Sequence, residues 1–426
     1  MFLLLALAWL FSADRNRMNW RVILWGIGLQ IIFAFFIFII PAGGKLFLVI
    51  NDVVVRILDS AGAGTRFLFG RLALPPGTSN SQGETSLGFF LAFQALPTIV
   101  FFASLMSALY FIGIMPLLIR GFAYLFTRLM RISGAESLCA ASNIFVGIES
   151  ALTIRPYLDN ITRSELCLIL TAGMSTIASS VLALYVFILH GQFPTIAGHL
   201  VSASVLSAPA AIVMSKILLP ESDVPRTMGE HVVPYYERES NLIEAIINGA
   251  NAGVRLCVGI AALLLAFLGM VALVDLGLGF LGGWINTGFG WNIDWSLRNL
   301  LGYCFYPLGL VIGIPHSDVL EASRIIGERL VTTEVQSYQD LAHLMTTKGF
   351  NHPRSSVITV YALCGFAHLA SLAIFIGGIA ALVPARTKDL AKVGPRALLA
   401  ATLACLLTAA VAGTFFTTKG SILLNP

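Results

Sequence analysis

The chain has 426 residues, of which 26 are Lys or Arg and 22 Asp or Glu, so 11% are charged where a soluble globular domain carries roughly 25%. With 57% hydrophobic residues, 29 Phe and a mean hydropathy of +0.85, its segments are apolar on all faces, which excludes a water-soluble domain and describes a polytopic membrane protein. The net charge of +4 is scattered between apolar runs, leaving no dense basic face for nucleic acid, and the six cysteines, with no CxxC pair, read as small core hydrophobes rather than disulfides or zinc ligands.

Apolar runs long enough to cross, or nearly cross, a bilayer lie at 1–12, 22–41, 97–119, 164–189, 194–219, 256–283, 356–384 and 397–416. The expectation is an all-α integral membrane protein with about eight spans. The first run, about 18 Å as a helix against a core of about 30 Å, is an incomplete or trimmed span, with a start site expected upstream. It is not a secretory signal, because Arg15, Arg17 and Arg21 follow it. That cluster, with Arg120, Arg128 and Arg131 and then Arg386, Lys388, Lys392 and Arg396, marks the cytosolic loops and places both termini outside. The loop 220–241 is cytosolic by parity although it carries Glu221, Asp223, Glu230, Glu237 and Glu239 against Arg226 and Arg238; acids weigh little in that rule. Segment 44–72 has charges at helical spacing and reads as an interfacial amphipathic helix.

Two apolar stretches are interrupted. Residues 132–158 are broken by Asn143, Gly147, Glu149 and Ser150, and residues 299–334 by Gly313, Pro315, His316 and Asp318. Each is expected to be a re-entrant hairpin whose irregular tip is buried in protein. Val146-Gly147-Ile148 matches Ile312-Gly313-Ile314, and Gly173-x-x-x-Ile177-Ala178-Ser179 matches Gly365-x-x-x-Leu369-Ala370-Ser371. By span count the two following helices run in opposite directions, so the pattern is an inverted repeat, the architecture in which transporters bind solute where hairpin tips and broken helices meet. The expected organisation is a scaffold over 1–131, a first transport repeat over 132–219, a loop and span over 220–298, a second repeat over 299–384 and a last span over 385–426. The small-residue clusters at 173–180 and 365–371 are either unwound points or close helix contacts.

Glu149 and Glu334 are acids beside repeat elements, and an intramembrane acid marks function unless it merely caps a helix or meets solvent. Asn143 and Thr176 supply neutral oxygens where the first hairpin faces the next helix, as a sodium ion needs; the alternative is interhelical hydrogen bonding. His368 lies in an apolar helix, and Asp318 and His316 could simply cap. No nucleophile, base and orienting group converge at a recognisable spacing, so an enzyme is not expected.

These residues resemble the concentrative nucleoside transporter family, short bacterial eight-span type, over nearly the whole chain. The resemblance is carried by Phe93-Gln-Ala-Leu-Pro97-Thr-Ile-Val-Phe-Phe102, Ala140-Ala-Ser-Asn-Ile-Phe-Val-Gly147, Ala208-Pro209 with Lys216 and Pro220-Glu221, Pro307-Leu-Gly-Leu-Val-Ile-Gly-Ile-Pro315, and Ala362-Leu-Cys-Gly-Phe366. It implies a sodium-coupled importer of nucleosides or nucleoside-like solutes, a homotrimer in the inner (plasma) membrane. Proton coupling through His368 or Glu149 and a non-transporting nucleoside sensor are the alternatives. By position, sodium ligands would be the Asn143 side chain, the Val146 carbonyl, Thr176 and the Ile177 carbonyl. Glu334, His368 and Ser371 would hold ribose, Phe366 and Val181 would line the pocket, and Gly147, Ile148 and Glu149 would face the base. The family's first tip reads Gly-Gln-Thr-Glu-Ala-Pro, whereas Gly147-Ile148-Glu149-Ser150-Ala151 is one residue shorter and lacks the base-reading Gln. His368 replaces a family Asn, Thr333 another Asn, and His316 a Trp.

Overall fold

The computed structural model describes residues 1–80, 83–236, 239–347 and 349–416, with Ile148 and Glu149 as backbone only. Glu237 and Arg238 of the acidic loop and the side chains of Ile148 and Glu149 therefore lie outside the described residues. The chain is all-helical: α1 (Phe2–Leu10), α2 (Trp20–Phe38), α3 (Pro41–Phe69), α4 (Leu96–Ile112), α5 (Ile114–Met130), α6 (Gly134–Asn143), a 3-10 segment (Ile148–Asn160), α7 (Arg163–Ser175), α8 (Ser179–Leu189), α9 (Ile196–Leu218), α10 (Leu242–Phe289), α11 (Leu297–Val311), α12 (Val319–Glu328), α13 (Glu334–Thr347), α14 (Pro353–Leu363), α15 (Leu369–Leu382) and α16 (Thr387–Phe415).

Among the described residues, six helical stretches are long and apolar enough to cross a membrane: Trp20–Phe38, Leu91–Ile112, Arg163–Leu189, Ile196–Leu218, Leu242–Phe289 and Pro384–Phe415. The other two expected spans differ for local reasons. The first is a nine-residue helix, and the 356–384 run is two half-helices, α14 and α15. The run at 97–119 ends at Ile112, where Gly113 takes φ +93 and turns the chain into α5. In the other direction, α10 extends 48 residues, about 72 Å at 1.5 Å per residue. Along it Gly249 and Gly253 admit the backbone of α4, a Cβ at either coming within 2.7 Å and 2.6 Å of that helix's backbone atoms, whereas Leu265, Leu276, Phe280 and Trp284 face outward.

The same order of elements occurs twice: α4 to α9 and α10 to α16. Each series contains a long helix, an antecedent helix, a ten-residue helix, a tip, a returning segment, a broken helix and a final span. This order pairs the first tip with a joint later in the chain than residues 312–318. The residues opposite the first tip, 144–147, are 329–333 between α12 and α13, and residues 312–318 join α11 to α12. The three-residue match of 146–148 with 312–314 thus falls on non-equivalent joints. The 173–179 and 365–371 match falls where it was expected, at two helix breaks. Thr176 and Ala178 are extended between α7 and α8, and His368 is extended between α14 and α15. Both readings of those small residues hold together: Gly365, at φ +112, lies on the backbone of Ser175, a Cβ there coming within 2.7 Å, and Gly173 sits under the Phe375 ring.

The helix starts are tied by capping groups. Ser133 and Glu136 form a capping box on α6, and Thr162 and Glu165 form one on α7. Ser133 also donates its hydroxyl to Glu165 at 2.6 Å. Lys216, near the end of α9, is buried against this junction, paired with Glu136, 3.3 Å from Glu221 and donating to Ser164 at 3.0 Å. In the second series, Asp318 accepts from the Asn351 and His352 amides, each at 3.0 Å, and from the Ser355 hydroxyl at 2.6 Å. Asp318, expected to cap the 313–318 turn, is the N-cap residue of α12 but makes no side-chain cap bond there, and instead ties that turn to the residues leading into α14, while His316 is bonded to the Tyr306 hydroxyl at 3.1 Å.

Removing one partner of a buried ion pair costs about 3–5 kcal/mol, because the other charge is left without compensation. Lys216→Met should therefore lower the thermal midpoint strongly in detergent. Adding Glu136→Gln to that variant should recover part of the loss. Midpoints for the single and double variants that differ by nothing would remove the pair from the account.

Candidate functional site

The breaks in α7–α8 and α14–α15 meet the two hairpin tips through matching backbone bonds. The Ser179 amide, first residue of α8, donates to the Phe145 carbonyl at 3.0 Å; the Leu369 amide, first residue of α15, donates to the Leu330 carbonyl at 3.1 Å. Phe145 and Leu330 each stand two residues beyond the end of their ten-residue helix. A broken helix frees carbonyls and amides that lipid cannot satisfy, so protein groups must satisfy them there.

At the first junction Asn143, the last residue of α6, is buried. Its amide donates to the Cys139 carbonyl at 3.0 Å, while its Oδ1 has no partner among the described residues. An orphaned buried carbonyl is costly unless a hydrogen-bond donor or a cation meets it. Thr176 donates its hydroxyl to the Ala172 carbonyl at 2.9 Å, which leaves its oxygen lone pairs free as acceptors. Its backbone and that of Ile177 lie in the break, where the Ile177 amide is held by Ser204 of α9 at 3.4 Å. Asn143, Thr176 and the Val146 and Ile177 backbone therefore come from the two elements that meet here. Neutral oxygens of this kind suit sodium, and the unpaired Oδ1 is the observation that fits an ion. Among the described residues there is no cluster of three His, Cys, Asp or Glu side chains for a transition metal.

At the second junction Glu334, first residue of α13, is 5% exposed. Tyr185 of α8 donates to its Oε1 at 2.7 Å, and His368 Nε2 lies 2.6 Å from its Oε2. His368 is the N-cap of α15, its Nδ1 accepting the Ser371 amide at 3.2 Å. With Nδ1 accepting, the Nε2 side of the ring is the one turned to Glu334 and Ser371. The Ser371 hydroxyl is 2.9 Å from the same Nε2. Glu334, His368 and Ser371 are thus one buried network, fixed to the first series by Tyr185. Val181 lies one turn before Tyr185 in α8, and Phe366 is half-buried in the second break. Gly147 is buried at the first tip; the side chains of Ile148 and Glu149 lie outside the described residues.

Tyr185 is a site residue that the reading of the sequence missed, although its spacing from Val181 places both on one helix face. Arg329 is another. It is 1% exposed at the second tip and donates to the Ala362 carbonyl at 2.6 Å.

Three families match in succession along the chain: Na+ dependent nucleoside transporter N-terminus over residues 1–72, Nucleoside recognition (Gate) over 92–192, and Na+ dependent nucleoside transporter C-terminus over 199–413. The mouse protein Solute carrier family 28 member 3 is 36% identical over 96% of this chain, and the chain spans 57% of that relative's length. Nucleoside permease NupC of Helicobacter pylori is 34% identical over 97% of this chain and 96% of its own. The inward-facing, substrate-bound structure of CNTnw superposes with a TM-score of 0.87 at 33% identity, covering 99% of this chain and 97% of that one. An outward-facing CNTnw variant superposes with the same score over 98% and 97%. The chain belongs to the Na+ dependent, concentrative nucleoside transporter family.

Proposed function

We propose that the protein is a sodium-coupled importer of nucleosides or nucleoside-like solutes, working by alternating access in the plasma membrane. The observation that carries the reading is the Tyr185–Glu334–His368–Ser371 network at the meeting of two broken helices. A buried carboxylate in that position needs donors, and vicinal hydroxyls of a ribose are donors of the right chemistry. Glu334 would accept ribose hydroxyls in place of, or beside, Tyr185; His368 and Ser371 would orient the same sugar; Val181 and Phe366 would cover its apolar face. Gly147, Ile148 and Glu149 would face the base, with a preference altered by the missing Gln.

Asn143 Oδ1, the Thr176 hydroxyl and the Val146 and Ile177 carbonyls would hold the sodium, which supplies the charge that settles the orphaned acceptor and pins the first tip to the break. One sodium crossing about 100 mV gains about 2.3 kcal/mol, and a tenfold gradient adds about 1.4. Together these support several-hundred-fold accumulation. Residues 132–219 and 299–384 serve as the moving repeats, each entering the membrane as a hairpin, with opposite orientations. Residues 1–131 and 220–298 form the scaffold, α3 lying along the interface and the exposed apolar side of α10 facing lipid or the other copies of a homotrimer; residues 385–426 carry the last span.

Reconstituted into proteoliposomes, the protein should accumulate radiolabelled nucleoside only when an inward sodium gradient is imposed. Accumulation driven equally by a proton gradient in potassium would replace sodium with proton coupling, and binding with no accumulation would make the protein a sensor. Asn143→Ala should raise the sodium concentration for half-maximal uptake at least tenfold. Unchanged sodium dependence in that variant would remove the proposed ion site.

Asn at position 368 can still accept the Ser371 amide and donate to Glu334, whereas Ala can do neither. His368→Asn should therefore keep nucleoside affinity within a few-fold of wild type. His368→Ala should lose it at least tenfold, the scale of one or two hydrogen bonds to a charged group at about 1.5–3 kcal/mol each. Equal affinities for the two variants, measured by equilibrium binding, would return His368 to a packing role.

A further inference from the structure

Arg329 is a buried cation that the network at Glu334 does not use. It is 1% exposed, no carboxylate lies within 4.0 Å of it among the described residues, and its Nε has no hydrogen-bond partner there. Its guanidinium donates to the Ala362 carbonyl at 2.6 Å. Cys405, on α16, in turn donates to the Cys364 carbonyl at 2.7 Å, so both groups serve freed carbonyls at the end of α14. That end carries the negative pole of a half-helix, and a guanidinium is the side-chain cation most tolerant of such a dry setting.

Its place in the repeat gives the charge a meaning. Arg329 follows the last residue of α12 as Ile144 follows the last residue of α6, so it adjoins the position equivalent to Asn143. The matching bonds Ser179–Phe145 and Leu369–Leu330 fix the same register independently. Ser204 of α9 serves the first break, and Cys405 of α16 serves the second and also lies 3.9 Å from the Ser175 carbonyl at the first. At this joint the first repeat presents an unpaired acceptor on Asn143, whereas the second presents Glu328, 3.3 Å from Arg298, and beside it the buried cation Arg329.

We propose that Arg329 is the tethered cation of the second repeat, holding hairpin two against the α14–α15 break as the coupling sodium holds hairpin one against α7–α8. It is a positioning residue, and it leaves the transport cycle with one exchangeable cation site of this type instead of two. The comparison rests on the sodium reading above; the need for a positive charge at 329 does not.

The test compares Arg329→Lys, Arg329→Met and Arg329→Ala in proteoliposomes under a sodium gradient. Lys should keep uptake within about threefold, and Met, which fills similar volume without charge, should lose it at least tenfold. Guanidinium chloride at tens of millimolar should restore Arg329→Ala uptake at least threefold over choline chloride, whereas urea, planar and of similar size but neutral, should not. Thermal midpoints of Arg329→Ala with guanidinium, urea and choline give the same contrast in a variant too unstable to transport. Equal uptake by Lys and Met, or equal rescue by guanidinium and urea, would overturn the proposal. Wild-type uptake indifferent to sodium would instead remove the first-repeat ion, leaving the guanidinium and urea contrast to decide Arg329 by itself.

Discussion

A helix that breaks inside hydrocarbon leaves amides and carbonyls that lipid cannot hydrogen-bond, and each group left bare costs several kcal/mol. Two such breaks, at 176–178 and 364–368, lie against one another through Gly365 and the Ser175 backbone. Nearly everything distinctive in this chain answers that cost. Hairpin tips arrive to accept the first amides of α8 and α15, Ser204 and Cys405 reach in from the two final spans, and His368 caps α15 with a ring nitrogen. What these groups leave unsatisfied defines where a solute or an ion is useful.

The two repeats answer the same requirement with different chemistry. The first is neutral at its joint and leaves Asn143 Oδ1 open; the second carries Glu334, His368 and Arg329. Under the proposed function a sugar hydroxyl and an exchangeable cation would sit in separate halves, and Tyr185 of the first half bonds Glu334 of the second at 2.7 Å. Farther out, the paired capping boxes and Lys216 fasten hairpin one to α9, and Asp318 fastens hairpin two to α14.

Composition and the lengths of the apolar runs were enough to read the class of the protein and most of its spans, because lipid imposes one period and one length on every crossing helix. The break positions were legible too, since small residues and a polar side chain interrupt otherwise apolar helices at 173–180 and 365–371. The joint of the second series that stands opposite residues 144–147 was not singled out in the sequence. Gly313 and Pro315 look like a tip, whereas the equivalent joint, Arg329 to Thr333, contains neither Gly nor Pro and so gives no break signal. Arg329 was invisible too: a basic residue in sequence counts as a loop charge unless its burial is known. Tyr185 was hidden because a tyrosine in an apolar helix looks like core until the acceptor across from it is located. The 48-residue length of α10 was underestimated because its ends are less apolar than its middle.

Thermodynamic linkage provides the most direct test, because sodium and nucleoside must raise each other's affinity by one common factor if both hold the same hairpins in place. Nucleoside binding to the purified protein should be titrated by calorimetry across a sodium series at constant ionic strength, with choline as the replacement, and sodium binding titrated with and without saturating nucleoside. The account predicts that nucleoside affinity rises at least tenfold from choline to saturating sodium, and that sodium affinity rises by the same factor when nucleoside is present. Nucleoside affinity that is the same in sodium and in choline would contradict it.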